Sequence, residues 1–408
     1  MVLEDRSMTA AQPSELRRTS DRLRPEFLSD EDDLPHAIVD EPLWSENYLS
    51  HAVFPEVGCA HWLHQGRTAF DPRTWQDFYV FYLPDDRYLC AKGTARLPDD
   101  RGPQGPALTY RCDEPFTQWT KNFHGLARLV TGDQLRAGSL TDGLGIGVDM
   151  EVTWTARGPA FDMDMSGQSW GHTHYEQNCD LSGFISFGDE RIDLAGTGLR
   201  DHSWGPRDFA PIDHHCWIHG QWSDGRSFMI FHLLTMQGQV LSHVTVDDGR
   251  GRINAQIVSD APLIDVLEQG QDPYLLRFET ERGIVDITAE PGQAATLSMA
   301  GTSEMVIGRD PEPTASHWLA EATTRFTWGG DEGWGVNRAH RAPIPLTVDA
   351  TFSPRAAQFT RTASKPLPRN ISEQDLEDLC LAAIHDVAGL FSLWLVAERL
   401  RFPVRTVL

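Results

Sequence analysis

Between Glu46 and Lys365 the chain is built from short apolar or alternating runs, separated at close intervals by Gly, Pro and Asp. That rhythm restricts the fold more than any other feature. Phe78–Leu83 reads as a strand closed by Pro84, Asp85 and Asp86. Phe184–Phe187 and Arg191–Ala195 flank Gly188–Glu190, which predicts a hairpin. Cys216–Trp222 and Ser227–Leu234 flank Ser223–Arg226, a second hairpin with an Asp-Gly turn. Leu275–Thr280 and Ile284–Ala289 flank Glu281–Gly283, a third. Convincing amphipathic helices are scarce between these runs. Many strands joined by tight turns mean an all-β sandwich or barrel, not a wound α/β fold.

Two ends depart from the rhythm. Residues 1–45 are polar and Pro-containing, with an acidic run Asp30–Asp33, and read as a tail or a segment wrapped on the surface. Ser372 followed by Glu373, Asp375 and Glu377 starts a helix, and Leu376, Leu379, Cys380, Ala383, Val387, Leu390, Phe391 and Leu395 recur at helical spacing. This predicts one long C-terminal helix over 371–401, which either caps a barrel or forms a homodimer interface. Capping is the slightly better fit.

The 408 residues allow two or three domains with a sizeable core in each. An apolar fraction of 40% with 13 Trp suits a folded protein with aromatic pockets. The net charge of −24 argues against nucleic acid or an anionic membrane surface as partner. Cys59, Cys90, Cys112, Cys179, Cys216 and Cys380 show no CxxC spacing, and Met1–Asp21 lacks the apolar stretch of a signal peptide. Free buried thiols and a cytoplasmic location are the expectation. The most apolar stretch, Leu379–Ala397, is interrupted by His385, Asp386 and Gly389, so no membrane span is expected.

Candidate chemistry concentrates in Gly196–Asp208. If Leu199–Trp204 is extended, Arg200, His202 and Trp204 share one face, and Leu199, Asp201 and Ser203 share the other. Asp201, His202 and Asp208 can move protons, and Trp204 offers a π face to a cation. The alternative is a buried aromatic corner in which Asp201 accepts a turn amide and Arg207 pairs with Asp208. The residues weigh these two readings evenly.

In Gly171–Gln177, His172, His174 and Glu176 share a strand face, with Tyr175 and Gln177 on the other. A chelating strand of the cupin kind places its Glu several residues later, so metal is the weaker reading here. Asp213–His219 adds His214, His215 and His219, with His232 on the next strand; hydrogen-bonded structural histidines are the expectation. His61, His64 and His124 fit bland core or surface roles. There is no GxSxG elbow, P-loop or HExxH, and Gly143–Gly147 lacks the context of a dinucleotide fingerprint and reads as a turn. No metal or cofactor is expected.

The Gly-x-Gly-x-x-Asp-His-Ser-Trp-Gly run, following a Gly-Phe-x-x-x-Gly-Asp hairpin and preceding a Trp-rich strand with an Asp-Gly turn, resembles the carotenoid 1,2-hydratase (hydroxyneurosporene synthase) superfamily of tandem lipocalin-like proteins. It is most similar to bacterial members with an Asp-His-Ser-Trp-Gly-x-Arg-Asp signature. The superfamily also contains kievitone hydratase and fungal pericyclases. The resemblance spans Glu46–Phe359 and is most specific over Tyr175–His232. It implies two calycin-like barrels or sandwiches, at 46–175 and 176–365. It also implies cofactor-independent chemistry on a hydrophobic, often isoprenoid, substrate.

In the hydratases a His and a Trp two residues apart are needed, and these fall on His202 and Trp204. A Tyr and an Asp implicated on a following strand have no counterpart in Ser227–Leu233. The resulting expectation is a hydratase in which an acid, Asp201 with Glu176 or Asp208 as alternates, protonates an alkene. Trp204 would stabilise the cation and His202 would handle the water. Arg200, His174, Tyr175, Trp217, His219, Met229 and His232 would line the substrate site. A cyclase or isomerase in the same cavity, and a non-catalytic carrier of a hydrophobic small molecule, are the alternatives.

Overall fold

Alternation of inward and outward side chains bends the strand runs into two closed walls. The computed structural model describes residues 20–341, apart from 99–101, 139, 164, 166–170, 208–211, 264–271, 301–303 and 309–315. The first sheet comprises β1 (Trp44–Phe54), β2 (Cys59–Thr68), β3 (Asp71–Leu83), β4 (Arg87–Arg96), β5 (Leu108–Glu114), β6 (Gln118–Thr131), β7 (Leu144–Ala156), β8 (Phe161–Asp162), β9 (Thr173–Phe187) and β10 (Glu190–Pro206). Eight of them close an antiparallel barrel in the order β1-β2-β3-β4-β6-β7-β9-β10, with β10 returning to β1. β5 lies on β6, and β8 lies on β9.

The second sheet comprises β11 (Ile212–Gln221), β12 (Ser227–Thr235), β13 (Val240–Asp247), β14 (Arg252–Ile257), β15 (Tyr274–Thr280), β16 (Gly283–Ala300), β17 (Glu304–Ile307), β18 (Ser316–Trp328) and β19 (Asp331–Arg341). It closes in the order β11-β12-β13-β14-β15-β16-β18-β19, with β17 on the end of β16. The molecule is therefore mainly β, with two closed antiparallel barrels. All three expected hairpins are present, as β9–β10, β11–β12 and β15–β16.

Two details differ from the sequence reading. Leu144–Gly147 is not a turn: it opens β7 and pairs with Leu126–Leu129, because the neighbouring strand supplies the ladder that glycines alone do not favour. A domain division at 175/176 would cut β9, and barrel one needs the whole β9–β10 hairpin to join β7 to β1. The passage to barrel two therefore falls between Pro206 and Ile212. The expected C-terminal helix, and with it the homodimer surface, lies outside the described residues. Cys59, Cys90, Cys112, Cys179 and Cys216 are free thiols.

Three large apolar groups make up most of the core among the described residues. Leu63, Trp75, Tyr79, Phe81 and Trp154 fill barrel one. Ile218, Phe228, Ile230, Phe278 and Phe326 fill barrel two. The third group joins outward residues of both barrels, among them Trp62, Phe78, Val80, Trp217, Met229 and Leu319. At ~1.5–3 kcal/mol for each large apolar side chain fully buried, this seam holds the barrels as one body.

The segment before β1 docks on barrel one. Leu28 packs against Phe116, Ala160 and Tyr175, and a 3₁₀ turn over Asp30–Asp33 delivers Asp33 into the barrel end. The buried Asp33 carboxylate accepts from the Phe116 N–H (2.6 Å), Trp119 Nε1 (2.8 Å), the Arg200 guanidinium (2.8 and 3.3 Å) and the Tyr175 hydroxyl. Burial alone would raise its pKa, but the Arg200 charge and these donors lower it.

Removing Asp33 would leave the Arg200 cation buried without its partner. Asp33→Ala is therefore expected to cost about 3–5 kcal/mol in urea unfolding. A loss below about 1 kcal/mol would show the pair to be solvated.

Candidate functional site

β10 is covered on both faces over Gly198–Ser203, and its alternation sorts the candidate residues into two places. Arg200, His202 and Trp204 point into the end of barrel one, while Leu199, Asp201 and Ser203 point into the seam. The strand's glycines follow from close packing: a Cβ on Gly198 would lie 2.3 Å from the His51 carbonyl oxygen and 3.0 Å from the Trp154 ring. Gly205, at φ 122°, takes the left-handed region that glycine favours, with the His172 amide where its Cβ would go.

On the inner face, His202 is fully buried, with Nε2 3.0 Å from Glu46 Oε1 and Nδ1 3.1 Å from the Tyr175 hydroxyl. Its ring stacks on Tyr48 at 3.9 Å. Trp204 is covered by His36, whose ring centroid lies 4.0 Å away. Glu46 Oε1 also lies 2.8 Å from His36 Nδ1, and Oε2 accepts from Arg67 Nε at 3.0 Å. Burial alone would raise the Glu46 carboxyl, but His202, His36 and Arg67 hold it down at about 2. Both nitrogens of His202 are engaged, and the Trp204 face is occupied by an imidazole. His202 is thus enclosed, whereas Trp204 is only partly buried.

The outer face is different. Asp201 accepts the Leu49 N–H at 2.9 Å, and its second oxygen lies 3.3 Å from His174 Nε2. The same nitrogen is 3.7 Å from Glu176 Oε1. Burial would raise Asp201, but His174 and the Leu49 amide hold it well below the usual carboxylate range. Glu176 goes the other way: complete burial, reinforced by the negative Asp201, pushes its carboxyl well above the usual range. Neither Glu176 oxygen has a hydrogen-bond partner of ordinary geometry, and nor do Trp217 Nε1, His219 Nδ1 and Arg338 Nη2. The Trp217 side chain is the hydrogen-bonding neighbour that partly offsets the burial of Glu176.

The barrel-two wall completes the group. His51 Nε2 lies 3.1 Å from Glu321, Arg338 Nε donates to Glu321 at 2.5 Å, and His219 Nε2 is 3.3 Å from His51 Nδ1. The Arg338 guanidinium lies 4.8 Å over the Trp217 ring. Apolar side chains of Met163, Met165, Trp217, Met229 and Phe231 share the seam cluster. At its edge Phe161, paired with Glu176 across β8–β9, stacks under Arg252 at 3.6 Å. These two residues, with His243 and Thr245, line a groove of about 560 Å³.

The thirteen-residue run that carries the motif thus serves two places. Glu176, Asp201, His174, Trp217, His219 and Met229 meet in the seam, whereas Arg200, His202, Trp204 and Tyr175 meet inside barrel one. His232 is apart, on the strand face that carries Phe228 and Ile230 into barrel two, and Asp208 lies outside the described residues. His172 is exposed and pairs with Glu41 at 2.7 Å, away from His174 and Glu176. In the remaining histidine cluster His215 Nδ1 lies 2.8 Å from His340 Nδ1, and His317 Nδ1 lies 2.7 Å from His340 Nε2.

Sequence reasoning missed Asp33, His36, Glu46, Arg67, His51, Glu321 and Arg338. An acidic run such as Asp30–Asp33 is ordinarily solvated, His36 lies in the segment before β1, and the others are single polar residues on strands. Their only signal was polarity at positions whose neighbours two residues away are core.

A family model described as a domain of unknown function, DUF7064, matches residues 29–342. A search of curated proteins returns no match. Similar solved structures include an AttH-type protein from Nitrosomonas europaea, at 15% identity and TM-score 0.45, covering 76% of this chain and 98% of that one. CghA, at 11% and 0.46, covers 77% and 95%. Kievitone hydratase from Nectria haematococca, at 8% and 0.42, covers 73% and 88%. Likeness at these scores carries no statement about chemistry.

The Glu176 environment has a pH signature. A carboxyl with a raised folded pKa binds its proton more tightly when folded, so its cost is absent below the unfolded value of 4.5 and grows as pH rises. Glu176→Gln, which mimics the neutral acid, should gain stability relative to the parent progressively as pH rises above about 5 in thermal melts. A pH-independent difference would mean that Glu176 is ionised.

Proposed function

We propose, from the premise that this chain belongs to the DUF7064 family over residues 29–342, that it is a lyase-type enzyme. It adds water to, or otherwise protonates, an alkene in a hydrophobic isoprenoid or steroid-like substrate. The observation that carries the reading is the Glu176–Asp201 pair: two buried carboxyls, one favoured neutral and one favoured ionised, bridged by His174. Environments that drive two neighbouring carboxyls apart are how a fold assigns an acid and a base at one pH. The resemblance of the Gly196–Asp208 run to the carotenoid 1,2-hydratase superfamily supports the reaction class.

In this mechanism the Glu176 hydroxyl gives its proton to one alkene carbon, and the π pair becomes the new C–H bond. The positive charge left on the other carbon is offset by ionised Asp201 a short distance away. Water attacks that carbon, and the proton it sheds passes to His174 and Asp201. His174 Nε2, between Asp201 and Glu176 at 3.3 and 3.7 Å, returns the proton to Glu176. Met163, Met165, Trp217, Met229 and Phe231 supply the apolar wall. The groove at Phe161 and Arg252 is the proposed way in. The acid role thus passes from Asp201 to Glu176, and His202 and Trp204 become supports of the barrel end.

The test is turnover of a panel of isoprenoid and steroid-like alkenes, followed by product mass. A gain of one water is expected. Glu176→Gln should lower the rate by about 10²–10⁴-fold, the usual contribution of a positioned general acid. Unchanged product mass would indicate cyclisation or isomerisation in the same seam, and a retained but unaltered ligand would indicate a carrier. A Glu176→Gln variant with parental turnover would overturn the assignment.

A further inference from the structure

Too many groups converge on one oxygen at the end of barrel one. Glu46 Oε1 lies 2.9 Å from the His36 backbone N, 2.8 Å from His36 Nδ1 and 3.0 Å from His202 Nε2. A carboxylate oxygen offers about two lone-pair sites. Following the protons sharpens the conflict. Tyr175 donates its hydroxyl proton to Asp33, an acceptor-only carboxylate. The Tyr175 oxygen is then left to accept from His202 Nδ1 at 3.1 Å. A neutral imidazole with its proton on Nδ1 presents a bare lone pair on Nε2, and that atom faces Glu46.

His36 repeats the pattern. Its Nε2 is held 3.3 Å from Asp32 Oδ1, which leaves Nδ1 as the nitrogen that faces Glu46 Oε1, at 2.8 Å. Three potential ligand atoms, His36 Nδ1, Glu46 Oε1 and His202 Nε2, therefore lie within 4.8 Å of one another. A divalent cation at their centre would bind all three in place of any shared proton.

We propose that His36, Glu46 and His202 form a binding site for a zinc-class divalent cation. Two imidazoles and one carboxylate are a ligand set that zinc takes, with a fourth position left for water. The nitrogen–oxygen separations of 2.8 and 3.0 Å are a few tenths of an ångström inside the tetrahedral edge set by metal–ligand bonds of about 2.0–2.1 Å, so a small outward shift admits the ion. The supporting groups are in place as well. Each imidazole is held through its far nitrogen, His36 by Asp32 and His202 by Tyr175 on Asp33, the arrangement that orients metal-binding histidines. Arg67 occupies the other Glu46 oxygen at 3.0 Å, leaving Oε1 as the one carboxylate ligand atom. The ion ties the segment carrying Asp32 and His36 to β1 and β10, so its binding free energy adds to folding stability.

The experiment uses the untagged full-length chain, stripped with chelator and titrated with Co²⁺ and then Zn²⁺. The visible band of four- or five-coordinate cobalt should rise to one equivalent per chain and be displaced by zinc. X-ray absorption of the zinc form should show imidazole scattering. Tyr175→Phe and Asp32→Asn should weaken binding by about 10–100-fold, the usual effect of removing an orienting partner. His36→Ala and His202→Ala should weaken it further, and His172→Ala should not change it. Failure of the wild-type chain to take up either ion, a zinc spectrum without imidazole, or binding undiminished in His36→Ala and His202→Ala would each overturn the site.

Discussion

The structure depends on one strand whose stretch Gly198–Ser203 is buried on both faces. β10 closes barrel one against β1 and β9, and its outer side forms part of the seam with barrel two. No polar side chain in that stretch is left to bulk solvent to satisfy, so each must find partners on whichever face the pleat assigns. Inward, Arg200 finds Asp33 and Gln177, and His202 finds Glu46 and Tyr175. Outward, Asp201 finds the Leu49 amide and His174. Close approach of β1 requires glycine at 198, where any side chain would strike the neighbouring carbonyl.

The two faces treat charge in opposite ways. At the barrel end Asp33 is fully supplied with donors, and Asp33 and Glu46 are held ionised in spite of burial. In the seam Asp201 is supplied and Glu176 is not, so only one of the neighbours keeps its charge. A saturated network makes a rigid support, whereas an unsaturated one offers a proton and lone pairs to something else. That contrast, rather than the identity of the residues, separates structural from chemical roles. Deeper in barrel one, burial pushes Lys121 well below its ordinary value between the rings of Tyr110 and Trp154.

Much of the fold was legible because its signals are local. Alternation and Asp-Gly or Gly-centred turns report β structure over a few residues, and the three hairpins appear where those signals stand. The division between barrels was not legible, since nothing within β9 says whether it pairs with β7 or begins a new wall. The site was half legible. Strand alternation separates Asp201 from His202 without any coordinates, and it places Glu176 and His174 together. It does not say which face meets barrel two. Nor does it show that Asp33, His36 and Glu46, more than a hundred residues upstream, fill the space beside His202 and Trp204.

By itself the sequence determined the strand character of this protein, its turns, and the partition of the Gly196–Asp208 run into two faces, because each rests on the pleat and on backbone preferences of neighbouring residues. Tertiary structure alone decided what each face does. Protonation, pairing and exposure depend on groups brought from distant strands: Glu321 and Arg338 beside His51 and Trp217, Asp33 against Arg200, and Asp201 against an isolated Glu176. A carboxyl's chemistry is set by the dielectric and charges within a few ångströms, and no local pattern records which residues will supply them.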